Sequence, residues 1–550
     1  MKKLLSLALL LLVSSIGVAQ IKLDVKASLN NVMRYGSGTE RNNNLEYGKE
    51  YFENLSDARL SVNDIIFGMR YEISQPIEYG VDYKGIRKRF IEYNNVKEGI
   101  NVRAGDFWEV ISRGLSMNVF EDRTQFYDTG IDGIKAFYKK TIGEKNPVKV
   151  KAEMFAGMLE YNDFANVTRK EVYNVRDANF EISPVKLLNI GANYVYAYGK
   201  VPTSSDTTSI KAYIPEGYLS FNYKNLQLFA SYAHKHVSTD ANTSYPVPIS
   251  AKGDGFYGSL SYSMPKLGVT VDYKNYRFDM TNPDNRSADR PTKMLPFQNP
   301  PTVVKEHSST LISRNPHVVD FNDEVGAQID VVYAPKDNVT FNLNAAVASR
   351  HFDYLKTTDG GKLVYTRIER DGNYLPSLDK QFSPYWEVYA DGEWYVNDKL
   401  YTKVAYDRQN AVTYNYINPN ASEILKVNTI PVEVRYSLTK EYTLKFIVEN
   451  QWVENNIRVG EKSYMNNLFS VSLSRSPNIS ATFSAEFTND EEEPTGKKNW
   501  FIGEVSYKFN SANSLTVSYG TERGGLKCTN GICRFVRPFE GLRLTLNNKF

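Results

Sequence analysis

Cysteine is nearly absent, with two in 550 residues, and histidine is scarce at five. That excludes a disulfide scaffold and a multi-cysteine metal centre. Charge of one sign is also missing, since 66 basic residues stand against 63 acidic ones. The chain therefore has no electrostatic footprint for nucleic acid. Past the first twenty residues it has no long apolar run, so it is not a helical membrane protein. Enzyme motifs are lacking too: no Gly-x-Ser-x-Gly elbow, no His-Glu-x-x-His and no Walker loop. No catalytic role, cofactor or metal is expected. Aromatic residues, in contrast, are abundant, with 39 Tyr and 28 Phe, although mean hydropathy is only −0.45. A polar chain this aromatic is too apolar to be disordered. A soluble chain of this length would comprise several domains, and the composition argues against that organisation.

The N-terminus reads as an address. Lys2 and Lys3 precede the apolar run Leu4 to Val13, and Gly17-Val18-Ala19 fits a small-x-small cleavage pattern. Residues 1–19 are expected to be a cleaved signal peptide and 20–550 an exported barrel. The cysteines then meet an oxidising compartment. No Cys lies near the cleavage site, so a lipoprotein anchor is not expected.

The rest alternates with a period of two, the signature of strands with one apolar and one polar face. Leu542, Leu544, Leu546 and Phe550 share a face opposite Arg543, Thr545, Asn547 and Lys549. Phe501, Val505, Tyr507 and Phe509 oppose Glu504, Ser506 and Lys508. Tyr442, Leu444, Phe446 and Val448 oppose Thr443, Lys445 and Glu449, and Val269, Val271 and Tyr273 oppose Thr270 and Asp272.

Such segments recur at about ten residues, the length a tilted strand needs to cross a bilayer. Short turns at Met264–Gly268, Ala334–Asn338, Asn397–Lys399, Thr439–Glu441, Ser476–Asn478 and Asn510–Asn513 alternate with long loops. Those loops are Asp279–Asp323, Arg350–Ser383, Thr413–Val427, Asn489–Lys498 and Arg523–Phe539. This pattern predicts an all-β transmembrane antiparallel barrel with periplasmic turns, extracellular loops and no sheet edge. Counting back to residue 131 gives about nineteen strands, and an even total of roughly 22, within 18 to 24, is expected. Gly68–Glu72, Ile86–Tyr93 and Ile100–Phe107 also read as strands. Residues 20–130 are less regular, and Arg113–Asn118 is either a strand or a segment folded into the lumen.

Several motifs carry possible chemistry. Cys528-Thr-Asn-Gly-Ile-Cys533 places two cysteines around an Asn530-Gly531 turn in the last surface loop, which predicts a small-loop disulfide. Arg103, Asp106, Glu109 and Arg113 lie among glycines and aromatics. They are candidates for a luminal polar network, with Arg113 pairing to Asp106 or Glu109, or for a substrate-binding ring. In the 279–323 loop, Pro300 and Pro301 fix an extended path. With His307, Arg314 and His317 they mark an ordered, functional loop that folds inward as a constriction or lies outward as a docking surface. Two histidines ten residues apart are a poor metal signal. Asp490-Glu-Glu-Glu493 reads as a solvated loop tip or an ion-bridging site.

Arg103-Ala-Gly-Asp-Phe-Trp-Glu109 with Ser112-Arg-Gly-Leu115, Asn299-Pro-Pro-Thr302 through Arg314-Asn-Pro-His317, and Arg523-Gly-Gly-Leu-Lys-Cys528 through Cys533-Arg-Phe-Val536 together resemble an uncharacterised family of Bacteroidota outer-membrane barrels, a domain of unknown function. Ser112 departs from the glycine expected in a Gly-Arg-Gly-Leu element. The resemblance implies fold and outer-membrane location and no activity. The C-terminal Phe550 resembles the signal that the barrel-assembly machinery reads.

Two functions follow. The first is an anchor, scaffold or accessory subunit for surface lipoproteins or secretion and assembly subunits. The second is a porin-like channel for small polar solutes. A lumen plugged by 20–130 or 279–323 favours the first, and an open path with a charged ring favours the second.

Overall fold

The computed structural model describes residues 23–550 apart from 43–44, 146, 163–169, 204–206, 242, 244–246, 281–293, 360–361, 371 and 530. The expected signal peptide, part of the 279–323 loop and Asn530 lie outside the described residues.

Twenty-four strands form one closed antiparallel sheet, at the top of the expected range. Each pairs with the next along the chain. The first, Val25–Asn42, closes on the last, Phe539–Lys549, in register from Asn30↔Lys549 to Glu40↔Phe539. Nineteen of the strands lie from Ile131 onward, matching the count made from alternation. The other five are Val25–Asn42, Leu45–Val62, Ile65–Ser74, Tyr83–Asn95 and Ile100–Phe107. The first two escaped the sequence pattern. Val25–Asn42 holds few apolar residues and two glycines, so its faces contrast weakly.

Glycine permits the closure. Gly541 stands opposite Gly38 on one side and Gly520 on the other. A Cβ on Gly38 would lie 2.0 Å from the Glu540 carbonyl oxygen, and one on Gly541 2.3 Å from that of Ser37, so the backbones at this seam leave no room for a side chain.

Alternation separates two surfaces. In Leu188–Pro202, Ile190, Tyr194 and Tyr198 are exposed, while Asn193, Val195 and Ala197 are buried. Phe501, Val505 and Tyr507 are likewise exposed beside the buried Trp500. The exposed apolar faces clothe the outside of the barrel, as in a membrane barrel. Both described chain ends share one end with most of the short connections. Longer connections such as 108–130, 278–323, 350–384 and 523–538 leave the other.

The main apolar core sits inside the barrel. It joins Ile111, Leu115, Met117, Leu295 and Phe297 from two of these loops to Phe155, Val175, Val195, Ile214 and Phe229 on the wall. Each such fully buried side chain contributes on the order of 1.5–3 kcal/mol, so these loops are held much as the core of a soluble domain is. Among the described residues the only helical turns are Ile312–Arg314, Lys380–Phe382 and Pro419–Ala421, and no helix is long and apolar enough to cross a membrane.

Candidate functional site

Three loops from the long-loop end meet within the barrel. The first, 108–130, is closed at its base by Asp128. That carboxylate accepts from the Trp108 indole at 2.9 Å and the Gly130 N–H at 2.8 Å, and pairs with Lys88 at 2.8 Å. Burial alone would raise the Asp128 carboxyl, but Lys88 and these donors hold it below the ordinary range. Deeper in, the Ser116 N–H donates to the buried Glu216 carboxylate at 3.1 Å. The Ser116 hydroxyl also donates to Glu216 and accepts from Asn193 at 3.0 Å.

The charged residues expected to form one luminal network here do not pair with one another, and each finds a separate partner. Arg103 pairs with Glu92 at 3.3 Å and lies over the Phe90 ring. Asp106 accepts the Arg89 N–H at 2.7 Å, with Lys88 3.7 Å away, and Glu109 takes Lys135 at 2.6 Å. Arg113 does not reach Asp106 or Glu109. It stands over the Phe229 ring with 5.0 Å to the centroid, because it belongs to the inserted loop and faces a different stretch of wall. The irregular Arg113–Asn118 stretch is thus a luminal segment.

The second loop holds Pro300 and Pro301 and folds inward. Asn118 and Asn299 lock it to the first, each side-chain amide donating to the other's backbone carbonyl at 2.8 and 2.9 Å. The Pro301 carbonyl accepts from the Tyr276 hydroxyl at 2.8 Å, and the Thr302 carbonyl accepts from Lys274. The loop then crosses to the far wall. Glu449 accepts from the Ser309 hydroxyl at 2.8 Å, the Thr310 N–H at 3.1 Å and the Leu311 N–H at 2.7 Å. His307 meets Glu387 at 2.7 Å, and His317 meets Glu324 at 3.1 Å while stacking on Tyr385. The two histidines therefore serve separate sites. Arg314 pairs with Glu486 at 2.5 Å and donates to the Gly524 carbonyl at 2.9 Å.

The third loop is the cysteine hairpin, Gly525–Thr529 paired with Ile532–Val536 and joined by the expected Cys528–Cys533 disulfide. It is not a free surface loop. Gly531 packs so closely that a Cβ there would lie 2.4 Å from the Phe321 ring, and Arg534 sits over Tyr79 and Phe126 of neighbouring loops. The acidic run is solvated only in its middle, where Glu491 and Glu492 are exposed. Asp490 binds Arg458 through both oxygens at 2.8 and 2.9 Å, and Glu493 pairs with Arg523 at 2.6 Å. Glu492 accepts from Gly460 at 3.2 Å and Val459 at 2.8 Å, which hold its carboxyl below the usual range.

Space remains beside these loops along the C-terminal wall. A cavity of ≈ 510 Å³ is lined by Glu449, Glu486, Glu504, Arg523 and Arg543, and another of ≈ 320 Å³ by Arg41, Arg458, Tyr464 and Arg537. Arg314 and Arg523 border both, and both arginines clasp Glu486. Mixed charges in such volumes suit small polar or ionic solutes, held by exchange of one ion pair for another. Phe550 is far from this region. Its backbone pairs with Leu29 and its exposed ring lies at the short-turn end beside Leu60, Phe67 and Met69.

Glu216, Glu387, Asp407 and Glu486 were not singled out from sequence, and Arg523 entered as part of the motif that carries the family resemblance. Alternation marks Glu449 as inward-facing, but its partner is a loop 138 residues away, and nothing in strand periodicity encodes that meeting.

No curated protein is detectably similar in sequence. Among solved structures, the copper transporter OprC shares 11% identity over 96% of this chain and 80% of its own, with a TM-score of 0.42. The siderophore receptor PirA from Pseudomonas aeruginosa shares 8% over 95% and 80%, with a TM-score of 0.43. The P pilus usher (PapC) translocation pore shares 8% over 95% and 99%, with a TM-score of 0.39. A family model matches residues 1–550 throughout, and the chain belongs to that family, the family of unknown function DUF6029.

Proposed function

We propose that this protein is an integral outer-membrane barrel that serves as an anchor or accessory subunit of a surface assembly, its lumen closed by its own loops. The observation that carries the reading is the knitting of three loops to each other and to opposite walls, through Asn118–Asn299, Arg314–Gly524 and Glu449–Leu311. A pore gains nothing from being filled, whereas a filled barrel is a rigid frame on which outer loops are fixed. Outward orientation of the long-loop end places the exposed Tyr374, Leu375 and Leu378 at the cell surface. Exposed apolar side chains so close in sequence suit a protein or lipoprotein partner. The role is non-enzymatic. Outer-membrane lipids surround the barrel, and assembly machinery engages Phe550 during biogenesis.

A tagged copy recovered from its own outer membrane in mild detergent tests this by quantitative mass spectrometry. Stoichiometric surface lipoproteins or secretion and assembly subunits are expected. A barrel recovered alone contradicts a stable scaffold. A second reading, a channel for small polar solutes, is favoured by the two cavities that share Arg314 and Arg523, and conductance separates it from the first.

A further inference from the structure

His307, Glu387 and Asp407 place one imidazole nitrogen and two carboxylate oxygens within 4.8 Å of one another. His307 belongs to the luminal loop, and the carboxylates to neighbouring wall strands, Tyr385–Asn397 and Leu400–Thr413. Asp407 is 0% exposed, and neither of its side-chain oxygens has a hydrogen-bond partner. Glu387 is 1% exposed, and its Oε2 is also without a partner. Its Oε1 accepts from Gln409 Nε2 at 3.0 Å and meets His307 Nε2 at 2.7 Å. Among the described residues no Lys or Arg ion-pairs with either carboxylate.

Two buried carboxylates with orphaned oxygens pointed at each other are costly unless a cation or a shared proton lies between them. The third donor, an imidazole, distinguishes these alternatives. We propose that His307, Glu387 and Asp407 bind a divalent transition ion of the Zn²⁺ class, which ties the luminal loop to the barrel wall. One neutral nitrogen and two anionic oxygens match the charge and donor preference of such an ion, while Mg²⁺ and Ca²⁺ favour all-oxygen shells. Gln409 orients Glu387 from behind, as outer partners of metal ligands do. Sequence spacing does not reveal the set, because His307 and Glu387 are 80 residues apart.

The test uses the full-length barrel, stripped with chelator in detergent and titrated with ZnCl₂, with MgCl₂ as comparator. About one Zn²⁺ should bind per chain, and Zn²⁺ but not Mg²⁺ should slow protease cleavage of 294–323. Asp407→Asn should weaken binding at least about tenfold and abolish the protection. In the metal-free protein the same variant should melt no lower than the parent, since it removes a carboxylate repulsion. His307→Gln, which lies outside the barrel strands and keeps a donor toward Glu387, should lose Zn²⁺ in the same way. No saturable Zn²⁺ in the parent, or equal binding by both variants, overturns the site and leaves a shared proton between the carboxylates.

Discussion

The Glu449 carboxylate, on the inward face of a wall strand, receives the Leu311 backbone N–H at 2.7 Å, and the side-chain amide of Gln451, the next inward residue, donates to the Leu311 carbonyl at 2.7 Å. Both backbone groups of one buried loop residue are thus satisfied by one strand. Hydrogen bonds to charged groups contribute about 1.5–3 kcal/mol each. Glu449→Ala should free the 294–323 loop without opening the barrel. Limited proteolysis should then cut that loop at least about tenfold faster, with the folded barrel's electrophoretic shift retained.

Closure of the sheet depends on Gly38 and Gly541. Gly541→Val pushes a branched side chain into the Ser37 carbonyl, where even a Cβ lies at 2.3 Å. Heat-modifiable electrophoresis should show little folded barrel, whereas Gly217→Val, at a position with open space around it, should fold normally.

The two wall cavities are divided where Arg314 and Arg523 clasp Glu486. Removing Arg314 takes away one arm of the clasp and its bond to Gly524. Arg314→Ala should increase leak of small polar solutes into proteoliposomes severalfold, and Arg314→Lys should restore part of the barrier. Unchanged leak in Arg314→Ala would show that other contacts make the seal.

Acid should loosen the base of the first loop. Asp128 is held below its ordinary value by Lys88, so its contribution is present above the unfolded value of about 3.9 and is lost as pH falls through the lower folded value. Protease accessibility of 108–130 should rise on acidification through that range. In Lys88→Gln the rise should begin at higher pH.

Much of the fold was legible because a barrel strand repeats its rule every second residue. Phe501, Val505 and Tyr507 announce a membrane-facing side with no knowledge of what they meet, and Ile131 onward yielded the right number of strands. Val25–Asn42 lacked that contrast and was missed. The luminal site was legible in parts. Cys528 and Cys533 paired as their spacing implied, and the stretch around Pro300 and Pro301 folds inward, one of the two courses expected of it. The partners of Arg113, His307 and Arg314 were not legible, because each is chosen by where a loop enters the lumen. The same holds for the cysteine hairpin, read as a surface loop until Gly531 is seen against Phe321.

Single-channel recording of the purified barrel in a planar bilayer tests most directly that its own loops close the lumen. The account predicts no sustained open level for the native chain, and a large steady conductance once residues 295–322 are replaced by a short Gly-Ser linker. Porin-sized conductance in the native chain, unchanged by that replacement, would contradict it.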